Sequence, residues 1–267
     1  MLLKVVAVQA RMGRPLSLGE KMYIFKLRAD FVCFPEYWLL DESVPDYHRA
    51  ALRWLEYQSY LVRLSDELGT CIVGGTVALP DGDQIYNTCF VIDRGHVIAQ
   101  YRKRFPVPGE LAKGIAPGNR KLVVSLDGVK IATLICGDVF HPELYDELSG
   151  DDVDVVFIPT TSPYRPEDSL SQKHDRDQKY FVAGAEVAGA YVVKTCGAGS
   201  IFGHRLQGRS LIAAPWGVVN RVEPLDEDSV RILTETLDIA ELREFRRRYR
   251  ESNLPPSNSP QIKQDSL

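Results

Sequence analysis

Three residues that could perform covalent catalysis together each stand at the end of a strand-like apolar run. A thiol is a nucleophile, a carboxylate can accept its proton, and an ammonium group can stabilise the negative charge that develops on an attacked carbonyl. Because buried strands hold such side chains at defined points, the three form a candidate active site. The residues are Glu36 after run 31–35, Lys103 after run 97–102 and Cys136 after run 129–135.

The segment around Cys136 predicts a sharp turn that exposes the thiol. Gly137 follows it at once and permits an unusual backbone conformation, while Pro142 suits the first turn of a helix. A strand–turn–helix junction of this kind presents the nucleophile in many hydrolases.

A free thiol has a pKa near ~8.5, so Cys136 requires a partner to react at neutral pH. Glu36 can take the proton and return it to a leaving amine, and Lys103 favours the thiolate and donates to the oxyanion. The backbone N–H of Gly137 is a second candidate donor. This chemistry suits attack on a carbon bonded to nitrogen, followed by hydrolysis of a thioester.

The surrounding pattern alternates short strands with helices and predicts an α/β fold. Helices are expected at 18–28, 47–68, 142–148, 169–188 and 239–250, and residues 102–118 are expected to form a long functional loop. The second helix is expected to place Leu52, Leu55, Tyr60, Leu61, Leu64 and Leu68 broadly on one face. The predicted strands are 3–9, 31–35, 71–79, 85–93, 96–101, 121–126, 129–135, 153–158, 191–195, 210–214, 218–222 and 230–236.

The composition excludes several classes of function. A net charge of −4 argues against a general nucleic-acid binder, and no apolar stretch reaches the ~18 residues of a membrane helix. The N-terminus lacks the order of a signal peptide, and five cysteines without a CxxC pair favour free thiols. We expect a cytoplasmic protein that acts on a small molecule. Cys33, Cys71 and Cys89 are interpreted as buried apolar residues.

The C-terminal part predicts an arginine-rich helix followed by a tail. The charges of helix 239–250 indicate a solvated or interface surface. Residues 251–267 are rich in Pro, Ser, Asn and Gln and are expected to be flexible or packed on a partner subunit. Without an evident linker, residues 1–250 are assigned to one domain.

From about residue 2 to residue 250 the chain resembles the nitrilase, or carbon–nitrogen hydrolase, superfamily. The similar segments are Phe34-Pro35-Glu36 for the general base, Tyr101-Arg102-Lys103 for the lysine, Ile135-Cys136-Gly137-Asp138 with Pro142-Glu143 for the nucleophile, and the later segments 208–212, 215–217 and 237–238.

The resemblance implies a four-layer α-β-β-α sandwich that pairs into a homodimer or higher oligomer, with no metal or organic cofactor. It also implies that Glu110 orients the lysine and the substrate; the alternative is a surface carboxylate. For Lys103 the alternative is a basic surface patch with Arg102 and Arg104.

Two departures from the family pattern concern the substrate. Residues 184–187 keep the glutamate of an Arg-Ala-x-Glu-Asn stretch but not its Arg or Asn, and Cys196 stands where the family often has Asn. The hydroxyls of Thr161 and Ser162 either bind a polar substrate or cap the next helix, and His141 is a conceivable partner for the thiol. The expected pocket residues are Tyr37, Phe140, His141, Thr161, Ser162 and Cys196.

The leading hypothesis is a thiol-dependent amidase that acts on a linear amide or an N-carbamoyl compound. Nitrile hydrolysis and acyl transfer to an amine would use the same acyl-enzyme. A binding module that has lost activity is the remaining alternative, and the complete set of Glu36, Lys103, Glu110 and Cys136 argues against it.

Overall fold

Two β-sheets and the helices against them make up the described part of the protein. The computed structural model describes residues 1–253 of the 267-residue chain. The strands are β1 Leu2–Gln9, β2 Phe31–Cys33, β3 Cys71–Val73, β4 Val77–Asp81, β5 Gln84–Asp93, β6 His96–Arg102, β7 Ile115–Ala116, β8 Val123–Leu126, β9 Val129–Thr133, β10 Val155–Thr160, β11 Tyr191–Cys196, β12 Gly199–Ile201, β13 His204–Leu206, β14 Leu211–Ala214, β15 Gly217–Arg221 and β16 Arg231–Asp238. The helices are α1 Leu18–Leu27, α2 Tyr47–Leu52, α3 Trp54–Leu68, α4 Pro108–Leu111, α5 Glu143–Ser149, α6 Leu170–Asp177, α7 Ala183–Ala188 and α8 Ile239–Asn253.

The first sheet has the strand order β16-β1-β2-β3-β5-β4, with β6 and β7 also paired to β5. The second sheet has the order β15-β14-β11-β10-β9-β8, and β12 with β13 forms a separate hairpin. Helix α3 packs on β4, β5 and β6, whereas α7 packs on β11 and β14. The predicted α/β class is therefore confirmed.

The two faces of β1 show how strand alternation divides the core. Val5 and Ala7 lie in one apolar cluster with residues of the second sheet, and the rings of Phe31 and Phe157 meet there at 5.6 Å. Val6 and its alternate neighbours lie in a second cluster with residues of α1 and α3. Because side chains alternate along a strand, the first sheet contacts one cluster with each of its two faces. The expected helix–sheet–sheet–helix order requires this arrangement.

Strand direction gathers several chain segments at one edge. Strands β2 and β3 run parallel to β1, and β9, β10 and β11 run parallel in the second sheet. Strand β6 is antiparallel to β5, which is antiparallel to β3, so β6 ends at the same edge as β2 and β3. The carboxyl ends of parallel strands are where open α/β sheets bind their ligands.

The predicted helix 47–68 is wrong as a single element, because it is two helices that meet at Arg53. Because of this break, Leu52 and Leu55 point away from the core, and their side chains are 74% and 58% exposed. The side chain of Arg53 binds Asp41 and Glu56, which fixes the corner.

The predicted strand 71–79 is also divided. Gly75 has φ +73°, and a Cβ there would lie 2.2 Å from the carbonyl oxygen of Pro35. The chain therefore bends between β3 and β4 so that it can pass close to the segment that carries Glu36.

The remaining boundary differences lie at the loop and at the C-terminus. The predicted loop 102–118 contains the short elements α4 and β7, and the predicted last helix continues to Asn253. The tail prediction for residues 254–267 lies outside the described residues. Among residues 1–253, no helix has the length and apolar character needed to cross a membrane.

Candidate active site

Cys136 lies three residues beyond β9, at the first position of a 3₁₀ turn, Cys136–Phe140. Its φ is +40°, so the left-handed residue of this sharp turn is the cysteine and not, as expected, the glycine after it. Such a conformation is costly for a residue with a side chain and is typical of functional sites. Gly137 is required for a different reason: a Cβ there would lie 2.6 Å from Val107 Cγ1.

The side chain of Asp138 fixes this turn to the segment that follows β6. Its carboxylate accepts hydrogen bonds from the Ile135 N–H at 2.9 Å, the Phe105 N–H at 2.8 Å and the Tyr101 hydroxyl at 2.8 Å. Asp138 is fully buried and so shielded from competing water. The nucleophile turn and the lysine segment are therefore held together by one acid.

Glu36 follows β2 and is buried with both carboxylate oxygens bonded. Oε1 accepts from Asn87 Nδ2 at 2.8 Å and from Lys103 Nζ at 2.9 Å. Oε2 accepts from the backbone N–H of Thr161 at 3.0 Å and from its hydroxyl at 2.6 Å. Four donors occupy the four lone-pair positions of a carboxylate.

Lys103 follows β6 and lies between two carboxylates. Its Nζ is 2.9 Å from Glu36 Oε1 and 2.6 Å from Glu110 Oε2, and its side chain is 1% exposed. Glu110 is on helix α4, where it also accepts from the Val107 N–H at 3.0 Å. An ammonium group has three donors, so one N–H of Lys103 remains for a further acceptor.

Asn87 joins the same two carboxylates from β5. Its Nδ2 donates to Glu36 Oε1 and to Glu110 Oε1, both at 2.8 Å. The sequence analysis did not identify Asn87 or the role of Asp138. A polar residue within the apolar strand-like run 85–93 was the available signal for Asn87.

The pKa values of the acids at the site are shifted in opposite directions. Burial raises the pKa of Glu36, but the charge of Lys103 and the four hydrogen bonds outweigh it, so the pKa lies below the ordinary value. Burial and the charge of Glu36 raise the pKa of Glu110 despite Lys103. The pKa of Lys103 is raised well above the ordinary value, because its anionic neighbours outweigh burial. Glu36 is therefore ionised and Lys103 protonated at neutral pH.

The thiol of Cys136 is held in its neutral form. Burial and the charges of Glu36 and Glu110 raise its pKa, and Lys103 opposes this only in part. Sγ lies 3.4 Å from the Thr161 carbonyl oxygen, to which the thiol donates, and 4.0 Å from the Thr161 hydroxyl. Reaction therefore requires that a base remove the proton.

The expected pocket residues lie at different distances from this cluster. Tyr37 is 2% exposed, and its hydroxyl has no hydrogen-bond partner in the described part of the chain. Burial raises the pKa of Tyr37 well above the ordinary value, and the nearby Glu110, Glu36 and Cys136 raise it further. His141 stacks on Phe105 at 3.6 Å and its ring lies 3.2 Å from Glu143, an arrangement that provides no contact with the thiol.

Phe140 is exposed and Ser162 is half-buried. Phe140 is 53% exposed and meets the Tyr180 ring edge-on at 4.9 Å. The Ser162 carbonyl accepts from the Gln207 N–H, and the cap of the next helix is Ser169, so the capping alternative for Thr161 and Ser162 is wrong.

Cys196 is fully buried at the end of β11, paired with Thr160 of β10. Its backbone N–H donates to Ser210 Oγ at 2.9 Å. Cys196 is thus next to the strand end that carries Thr161.

Comparison with known proteins finds a family model and relatives that match most of the chain. The model of the carbon-nitrogen hydrolase family matches residues 6–247. A 2-oxoglutaramate amidase from Bacillus subtilis (strain 168) is 29% identical over 246 residues, which cover 87% of this chain and 90% of that protein. An omega-amidase from Xenopus tropicalis is 26% identical, covering 79% of this chain and 74% of its own.

Solved structures share the fold. An amidase from Nesterenkonia sp. superposes with a TM-score of 0.72 at 20% identity, covering 94% of this chain and 96% of its own. A variant of that amidase carries an acetamide moiety on its active-site cysteine, with a TM-score of 0.73, 19% identity and coverage of 94% and 97%. A carbon-nitrogen hydrolase from Helicobacter pylori G27 gives a TM-score of 0.78 at 14% identity, covering 96% and 95%.

Proposed function

This chain belongs to the carbon–nitrogen hydrolase family, and we propose that it cleaves a small linear amide or N-carbamoyl compound through a thioester at Cys136. Glu36 is the general base, and Glu110 orients Lys103. The observation that carries the proposal is the position of Lys103 Nζ, bonded to Glu36 at 2.9 Å and to Glu110 at 2.6 Å. A buried cation fixed in this way retains one N–H for a developing oxyanion.

The first half of the reaction forms the thioester. The thiol proton passes to Glu36 while Sγ bonds to the carbonyl carbon, and the negative charge moves to the oxygen, which Lys103 and the Gly137 N–H stabilise. When the C–N bond breaks, the proton on Glu36 goes to the nitrogen, and ammonia or an amine leaves. Removal of one oxyanion donor of this kind typically costs ~10²–10³-fold in kcat.

The second half releases the acid. Glu36 takes a proton from water as the water oxygen attacks the thioester carbon. Breakage of the C–S bond returns the proton to sulfur and frees a carboxylic acid. The same base therefore serves both halves.

The two relatives favour a short primary amide as the first substrate to test. One is named as a 2-oxoglutaramate amidase and the other as an omega-amidase. Tyr37 and Tyr47, whose rings are 5.2 Å apart and which lie near Glu36 and Glu110, are the candidates to contact a short acyl chain.

Ammonia release from amides, N-carbamoyl compounds and nitriles tests the proposal, together with intact mass after treatment with a thiol-reactive amide. Cys136→Ala should release no ammonia and form no adduct. Cys71→Ala is the matched control, because Cys71 is buried at the opposite end of β3 from the site, and it should behave as wild type.

Four results would contradict the proposal. Ammonia release by Cys136→Ala would exclude the thioester. Release from nitriles but not from amides would indicate a nitrile hydrolase, and acyl transfer to an added amine in preference to water would indicate a transferase. A wild-type chain inert toward every substrate and thiol reagent would favour a binding module.

A further inference from the structure

The hydroxyl of Thr161 lies between the thiol and the general base. Its Oγ1 donates to Glu36 Oε2 at 2.6 Å and lies 4.0 Å from Cys136 Sγ. Thr161 directly follows β10, and this position brings its hydroxyl between the two groups. The Thr161 backbone N–H also donates to Glu36 Oε2 at 3.0 Å. Thr161 thus contacts both ends of the proton transfer.

Glu36 has no lone-pair position left for a direct bond from the thiol. Two positions on Oε1 are occupied by Asn87 and Lys103, and two on Oε2 by the N–H and hydroxyl of Thr161. Of these four donors, only the hydroxyl can accept a proton while it gives up its own, because the protonated ammonium group of Lys103 has no lone pair. An amide N–H or an amide NH₂ cannot do so.

We propose that Thr161 relays the proton from Cys136 to Glu36, which deepens the proposed function and rests on it for the catalytic cycle. The thiol turns from the Thr161 carbonyl oxygen to Oγ1 and gives its proton to that oxygen. The hydroxyl proton passes at the same time to Glu36 Oε2. Sulfur becomes a thiolate, Glu36 becomes neutral, and Thr161 is again a hydroxyl, so protons and charge balance.

The charged surroundings support the direction of this transfer. Lys103 holds Glu36 ionised at rest and lies near the sulfur, where its charge favours the thiolate once it forms. Glu110 is bonded to Lys103 and Val107, and the Tyr37 hydroxyl is unpartnered within residues 1–253, so neither provides a competing path through hydrogen bonds to the thiol.

Two substitutions separate the hydroxyl from the rest of the side chain. Thr161→Val keeps the shape and the backbone N–H bond to Glu36 but removes the relay, and it should lower kcat/KM about 10²-fold, the usual share of a general base. Thr161→Ser restores a hydroxyl and should recover activity to within about threefold. Thr160→Val is the control, because the Thr160 hydroxyl donates to the Ile158 carbonyl at 3.0 Å and not to the site.

Alkylation of Cys136 by iodoacetamide tests the relay without a substrate. In wild type the rate should be flat from about pH 5 to 8, because an ionised Glu36 removes the proton at a constant rate. In Thr161→Val it should rise about tenfold per pH unit, since only the bulk thiolate then reacts. A merely structural effect would lower the rate at every pH without changing its slope.

The outcomes separate the relay from the proposed function. Thr161→Val with wild-type kcat/KM and a flat alkylation profile would overturn the relay, as would Thr161→Ser that is impaired as strongly as Thr161→Val. If wild type hydrolyses no amide but the alkylation slopes differ as expected, the proposed function fails and the relay stands.

Discussion

At the scale of single residues, the protonation state of Glu36 is set by the groups that donate hydrogen bonds to its carboxylate. Burial alone would raise the pKa of this carboxyl and leave it protonated, which is useless for a base. Lys103, Thr161 and Asn87 reverse that shift. Activity should therefore persist as the pH falls until Glu36 is protonated, and the acid limb of kcat/KM should lie below the ordinary value of about 4.3.

Asn87→Ala tests this account. Loss of a donor to the charged form raises the pKa of Glu36, so the acid limb of kcat/KM should move to higher pH by about one unit, which corresponds to about 1.4 kcal/mol. Thr88→Ala is the control on the same strand, because the Thr88 hydroxyl donates to the Tyr86 carbonyl. If circular dichroism shows that Asn87→Ala is folded and the acid limb of its kcat/KM profile does not move, the assigned role of Asn87 is refuted.

The sequence predicts the residues at strand ends better than their partners. Glu36, Lys103 and Cys136 follow apolar runs, and the parallel strands bring those ends together. Asn87 bonds to partners 51 and 23 positions away along the chain, and Asp138 bonds to Tyr101, 37 positions away, as well as to the nearby Ile135. No local pattern identifies the distant partners. The role of Thr161 depends on a contact across 125 positions.

At the scale of elements, the nucleophile turn and the segment after β6 are packed without spare room. The missing side chain of Gly137 leaves space for Val107, three residues before Glu110. A Cβ there would lie 2.6 Å from Val107 Cγ1, so this β-branched side chain must move, and we expect the segment that carries Glu110 to shift with it.

Gly137→Ala should therefore lower kcat/KM at least tenfold, because the displaced Glu110 segment no longer orients Lys103. Gly109→Ala is the matched control within the same segment, since a Cβ there meets nothing within 4 Å. Ammonia release from the best amide substrate measures both variants. Equal activity of Gly137→Ala and wild type would show that the segment can move without cost.

The wrongly predicted elements share a cause. Periodicity does not reveal where a helix or strand must bend to meet a distant neighbour. Arg53 ends α2 through ion pairs, and Gly75 bends the chain near Pro35. Both breaks serve tertiary contacts, which override local propensity.

At the scale of the whole molecule, one buried acid attaches the last helix to the second sheet. Asp154 is fully buried before β10 and accepts from Arg243 Nε at 3.1 Å, from Arg246 and from the Lys130 N–H at 3.0 Å. The arginine-rich surface of α8 is thus partly an internal contact and not only a solvated face.

Asp154→Asn should lower the free energy of unfolding by about 3 kcal/mol, because the guanidinium of Arg246 stays buried without its partner. Burial raises the pKa of Asp154, but the arginines and the Lys130 N–H lower it by more than burial raises it. The pKa of Asp154 in the folded protein therefore lies below the ordinary value. The stabilisation is present above the unfolded pKa of about 3.9 and is lost as the pH falls through the folded value.

Urea denaturation of Asp154→Asn and of Glu244→Gln provides the measurement. Glu244 pairs with Arg247 and Arg248 on the exposed side of α8, so its change should not be measurable. Similar effects of the two substitutions would contradict the anchoring role of Asp154. The homodimer and the single domain of residues 1–250 stay predictions, which light scattering and the cooperativity of the same transitions can check.

Strand β1 pairs with β16, so that Leu2 lies opposite Asp238. This pairing has a consequence for biosynthesis. Strand β1 must wait for β16, which lies more than 220 positions later in the chain. At ~5–20 residues per second this interval is on the order of 10–50 s. During translation β1 presents an unpaired edge, which is open to adhesion by other nascent chains. The ribosome-bound chain should therefore be a better client for chaperones than the released protein.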